Sequence, residues 1–141
     1  YFAYGMNTNL REMSSRCPKS TLIGKAAIAD QKLVFRSVAD YEYSYGDTLY
    51  GALWVITDKC EESLDKLEGY PNLYDKEFKI CALIQSFNKN FKPGIFKTML
   101  YKMNSNNIAY PSDYYLDCLV LGYKANKLPK QQLVNAIRDT L

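Results

Sequence analysis

The feature that most constrains the fold is the strand-rich stretch from Thr21 to Ile56. Its segments "TLIGKAAIAD", "KLVFRSVADYEYS" and "TLYGALWVI" are dense in β-branched and aromatic residues and are punctuated by Gly46-Asp47. Strands expose rows of backbone donors and acceptors that must find partners, so a sheet is required. Two further strands fit it. In "EFKICALI", Phe78, Ile80, Ala82 and Ile84 alternate with Lys79, Cys81 and Leu83, and "IFKTMLYKM" follows across the turn "NKNFKPG", which reads as a β-hairpin. The opening "YFAYG" is a short aromatic strand closed by Gly5.

Helical signals occupy defined places around these strands. Asn9 is positioned to cap a short helix over "LREMSSR". Asp58 with Glu61 three residues later resembles a capping box, and Cys60, Leu64 and Leu67 then recur at helical spacing until Gly69 and Pro71. Ser112 caps a third helix, in which Tyr115, Leu119 and Gly122 or Tyr123 share a face. A fourth spans Gln131 to Thr140, with Leu133, Ile137 and Leu141 as its apolar stripe. The order of elements predicts an α+β protein, a small mixed β-barrel with peripheral helices. At 141 residues, 48% hydrophobic and 23% charged, the chain is sized for a single domain over 1–141.

Composition narrows the chemistry. With no histidine, a Ser-His-Asp triad, a Cys-His dyad and a histidine-ligated metal are excluded. Cys17, Cys60, Cys81 and Cys118 lie far apart without a C-x-x-C pair, which suggests structural free thiols and no metal site. A net charge of +3 without a run of basic residues gives no footprint for nucleic acid, and stacking of the 13 tyrosines on bases is the weaker reading beside packing or pocket lining. No apolar run approaches a membrane span and no signal peptide is visible at the start, so a soluble, cytoplasmic protein is expected.

Two places can carry chemistry. The turn from "YFAYG" through Asn7 to Asn9 joins a strand to a helix, and its backbone N–H groups can bind a carboxylate or an oxyanion; a plain tight turn is the simpler use of Gly5. The other is Glu68, an anion at the helix end that carries partial negative charge. It follows Leu64 by four residues and adjoins Leu67, at the edge of the apolar stripe, whereas Glu61, Glu62 and Asp65 fall at more solvent-facing positions. Apolar surroundings and the helix end both raise its pKa, which makes a base that works near neutral pH.

These segments together resemble the γ-glutamylcyclotransferase-like family. "YFAYGMN", "GDTLYGALWVI", "LDKLEGY" and "PSDYYLDCLVLGYKANKLP" occur in the order of that family's YFAYGSN, G-x-x-V-W/Y-G, LD-x-x-EG, and P-S-x-x-Y with G-x-x-x-x-x-LP. The resemblance implies an enzyme that releases 5-oxoproline from a γ-glutamyl amino acid, amine or peptide without a cofactor. It implies Glu68 as the catalytic group, and Tyr1, Phe2, Ala3, Tyr4, Gly5 and Met6 with Tyr115 as substrate-binding residues. The implied partner is a small γ-glutamyl molecule, bound by a monomer or homodimer. Met6 stands where the family usually has serine, which points to altered substrate preference or to a non-catalytic relative that sequesters a ligand. An interaction module without a working pocket is a third reading.

Overall fold

A computed structural model describes residues 1–141. Its centre is a long antiparallel hairpin of β2 (Thr21–Phe35) and β3 (Ala39–Val55), turned through Arg36, Ser37 and Val38 with Ser37 at φ 69°. The three strand-forming segments are therefore two strands, and the turn falls inside "KLVFRSVADYEYS". At Asp30 (φ 60°) and Gly46 (φ 84°) the hairpin is irregular instead of broken. The Asp30 Oδ1 accepts the Gly46 N–H at 2.9 Å, and a glycine takes the left-handed conformation without a Cβ clash, so both strands kink and pairing resumes beyond.

β4 (Tyr74–Ser86) and β5 (Gly94–Met103) form the second hairpin, and β1 (Phe2–Ala3) pairs with β3. The order is β1-β3-β2-β4-β5, antiparallel at every neighbour, so the sheet is not mixed as expected. Nor is it a closed barrel. The Tyr4 hydroxyl, just after β1, donates to the Tyr101 carbonyl on β5, yet no ladder joins the two edges. β1 has only two residues before Gly5 turns the chain into the 3₁₀ segment Met6–Thr8, too few backbone groups to pair on both sides.

Helices cover both faces. α1 (Leu10–Arg16) and α2 (Asp58–Glu68) bury Met13, Cys60 and Leu64 against Ala52, Trp54, Met99 and Tyr101. On the other face α3 (Asp113–Ala125) and α4 (Lys130–Arg138) pack Leu119, Tyr123, Leu133 and Ala136 over Phe2, Ile28, Leu49 and Leu100. Asn9 and Ser112 cap α1 and α3 as their positions suggested, each accepting an N–H at 3.1 Å. α2 differs by one residue: Thr57 is the cap, accepting the Cys60 N–H at 3.1 Å, because Thr57 is still extended while Asp58 is already helical. Leu67 and Leu141 are not buried stripe residues; they are 50% and 96% exposed.

Cys17 and Cys60 form a disulfide between α1 and α2, with Cα atoms 5.3 Å apart. The free-thiol reading thus holds for buried Cys81 and Cys118 alone. Spacing along the chain carries no pairing information; packing α1 beside α2 brings these two together.

Candidate active site

Beside β1, under the C-terminal end of α2, lies a cavity of about 330 Å³. Tyr1, Tyr4, Gly5, Met6, Tyr115 and Glu68 all line it, so the strand-to-helix turn and the helix-end carboxylate face one space. Phe2 and Ala3 do not. They are 0% and 2% exposed, pair with Leu53 and Ala52, and point into the cores on opposite faces of the sheet. Their side chains anchor β1, and that anchoring sets where Tyr4 and Gly5 emerge.

Gly5 is required by crowding. A Cβ there would lie 2.9 Å from both the Ala39 Cβ and the Tyr115 hydroxyl oxygen, well inside van der Waals contact. That hydroxyl accepts the Ala39 N–H at 2.9 Å and also faces the Met6 amide. Burial pushes the Tyr115 phenol up to about 12, offset in part by those backbone hydrogen bonds. α3, which carries Tyr115, is fastened to the turn. Asn126 Nδ2 donates to the Thr8 carbonyl at 2.7 Å and Asn9 Nδ2 to the Cys118 carbonyl at 3.0 Å. Gly122 permits this contact, since a Cβ would meet the Thr8 hydroxyl at 2.4 Å.

Glu68 is the last residue of α2, before Gly69 stops the helix at φ 65°. It is half-buried, and its carboxylate takes part in no ion pair and no side-chain hydrogen bond. Burial pushes its pKa up to about 7, while the Arg16 guanidinium pulls the other way. One turn earlier, Asp65 meets the opposite fate. It is not solvent-facing as its spacing suggested, but accepts the Tyr101 hydroxyl at 2.6 Å and pairs with Lys76 at 2.9 Å. The protein thus satisfies one carboxylate of this helix and leaves the next free, aimed at a cavity and able to gain or lose a proton near neutrality.

Tyr74 and Tyr101 complete the aromatic wall, each ring edge-on to its neighbour, with Tyr101 5.9 Å from Tyr1 and 6.5 Å from Tyr74. Sequence reasoning assigned the tyrosines as a group to packing or pocket lining and left these two open between the two uses. It missed Arg16 altogether. The signal was present: Arg16 lies one turn after fully buried Met13 on α1, so the same face that packs inward carries it toward the cavity.

A half-buried carboxylate in an aromatic pocket beside an antiparallel sheet makes this an α+β protein with a candidate acid–base site. A solved gamma-glutamyl cyclotransferase superposes with a TM-score of 0.80 at 25% identity, covering 96% of this chain and 84% of its own. The crystal structure of an uncharacterized protein from Homo sapiens superposes at 0.82, with the same identity and coverage. The chain belongs to the family described as gamma-glutamyl cyclotransferase, AIG2-like, whose model matches residues 1–117. It is also 26% identical to the gamma-glutamylcyclotransferases of Bos taurus and Homo sapiens, over 97% and 92% of its length and 77% and 72% of theirs.

Proposed function

We propose that this protein is a cyclotransferase that releases 5-oxoproline from a γ-glutamyl compound, with Glu68 as the proton shuttle. The observation that carries the reading is the Glu68 carboxylate, unbonded, raised to about 7 and facing the same cavity as Gly5 and Met6. In the reaction, the substrate's α-nitrogen forms a bond to its γ-carbonyl carbon and the bond from that carbon to the leaving nitrogen breaks. The α-amine enters as an ammonium and cannot attack until a base takes a proton. The leaving nitrogen departs only once protonated. One carboxylate with a pKa near neutral takes the first proton and delivers it to the leaving nitrogen; the second proton, lost by the ring nitrogen after attack, passes to the freed amine, which departs as its ammonium, so protons balance and no cofactor enters.

The remaining groups serve positioning. Attack within one molecule spares most of the entropic cost of joining two reactants, so the pocket has mainly to hold the folded conformer. The tyrosine walls limit the room for extended ones. In the oxyanion state the Gly5 amide is the donor offered to the charged oxygen, since the Met6 amide already faces the Tyr115 hydroxyl. Met6 in place of serine removes a hydroxyl and keeps the amide, so it changes which substrates fit without removing the donor.

The test is incubation with γ-glutamyl amino acids, γ-glutamylamines and a γ-glutamyl peptide, with 5-oxoproline as the readout. Product is expected from at least one of them and is lost in Glu68→Gln. Turnover that survives this isosteric change means another base. Binding without turnover on every substrate supports a ligand-sequestering relative instead.

A further inference from the structure

We propose that Arg16 is the specificity-determining residue of this cavity, its guanidinium binding the α-carboxylate of the γ-glutamyl group while Glu68 serves the amine on the same carbon. The inference rests on the cyclotransferase reading and extends it to the part of the substrate that stays in 5-oxoproline.

Among the residues that line the cavity, Arg16 is the single cation and Glu68 the single carboxylate. An amino-acid head group is a zwitterion whose ammonium and carboxylate share one carbon, so a cavity with one acid and one guanidinium matches it charge for charge. Both face the one cavity, and the Arg16 charge opposes the rise that burial gives the Glu68 pKa. Glu68 serves both nitrogens in turn, and the α-carboxylate is the anion that γ-glutamyl amino acids, amines and peptides all carry, so it is the group a fixed cation in this cavity meets in every substrate.

The guanidinium is also held in place. Its Nη1 donates to the Asn7 Oδ1 at 2.7 Å, and Asn7, 3% exposed, in turn donates Nδ2 to the Tyr1 hydroxyl at 3.0 Å. Its only ion pair is a loose one to Glu12 at 3.8 Å, on the half-exposed side of α1. Such helix-surface pairs contribute little to stability. A guanidinium has five N–H donors in a planar fork suited to two-point contact with a carboxylate, and Asn7 and Glu12 engage only some of them. With Arg16 on the carboxylate, the Gly5 backbone amide is left for the oxyanion.

The experiment compares a γ-glutamyl amide with the 4-aminobutanoyl amide of the same amine, which lacks only the α-carboxylate and cyclises to 2-pyrrolidinone. Wild-type kcat/KM should favour the γ-glutamyl compound by about 100-fold or more, as expected when a built polar site meets an analogue missing its partner group. In Arg16→Gln that preference should collapse to about 10-fold or less, mainly through KM for the γ-glutamyl substrate. Arg16→Lys keeps the charge but not the fork, so it should fall between the two and guards against a Gln variant that folds poorly. A parallel loss on both substrates, or a preference unchanged by either substitution, overturns the assignment. Turnover of neither compound, or of any other γ-glutamyl substrate, by wild-type protein defeats the cyclotransferase reading itself and the assignment with it.

Discussion

Two groups of buried charge sit on either side of Ala39, and they are treated in opposite ways. Asp40, 0% exposed, accepts Arg36 Nε at 2.7 Å, Lys102 Nζ at 2.8 Å and the Met103 N–H at 3.0 Å. Arg36 is bound further, to the Asn106 carbonyl at 2.8 Å. Every desolvated charge there has partners, and the cluster ties the β2–β3 turn to the end of β5. In the cavity Glu68 has none of these partners. Desolvation of a carboxylate is unfavourable in both places; compensation by fixed hydrogen bonds makes a brace, and its omission makes a group that binds protons near neutral pH. The difference separates a charge that holds the fold from one available for chemistry.

The comparison can be broken at either end. The largest effect is expected from Glu68→Gln, which should lower kcat/KM by about 1,000-fold or more, the scale of a lost acid–base group, and leave the far-UV circular dichroism unchanged. A loss of fold in that variant would place Glu68 among the braces. Asp40→Ala should do the reverse, costing about 3–5 kcal/mol in urea denaturation by stranding Arg36 and Lys102 without their shared anion. If stability barely moves, the cluster is not a brace.

The pH dependence sharpens the contrast. The Glu68 pKa is raised on folding, so its contribution to stability is full below the ordinary carboxylate range and is lost as pH rises through about 7. Glu68→Gln should therefore match wild type near pH 4 and exceed it at pH 8.5 by on the order of 2 kcal/mol, read from thermal or urea melts at both values. A variant less stable than wild type at high pH would contradict the raised pKa. The smallest effect should come from Tyr115→Phe, which leaves the Ala39 N–H without its acceptor and should cost about 1 kcal/mol with a modest fall in activity.

What could be read in the sequence follows the range of the interactions involved. The caps Asn9 and Ser112 and the stop at Gly69 were legible because each is decided within a few residues. The inward aim of Glu68 was legible for the same reason, from its spacing to Leu64. Its neighbours were not: Asp65 has the solvent-facing position its spacing suggested only until Tyr101 and Lys76, from the β4–β5 hairpin, reach it. Strand identity was clear, but the turn at Arg36 to Val38 lacks a glycine, whereas the Gly46 kink announces itself in composition and is no turn. The alternation in β4 was seen without its sense. Cys81 and Leu83 face the core, while Phe78, Ile80 and Ile84 are 64%, 59% and 46% exposed, because the small buried side is the one packed under α3 and α4. Barrel closure, the Cys17–Cys60 pairing and the place of Arg16 depend on which elements become neighbours, and a linear pattern does not carry that.

The Cys17–Cys60 link gives the molecule a closed ring. The covalent circuit runs from Cys17 through the whole β2–β3 hairpin to Cys60, a separation of 43 residues, and it encloses the exposed kink around Tyr45. A protease cutting at Tyr45 opens the polypeptide but does not part it: the piece bearing Arg16 and the piece bearing Glu68 stay joined through the sulfurs. On a non-reducing gel the nicked protein runs as one band, and only a thiol reductant releases two.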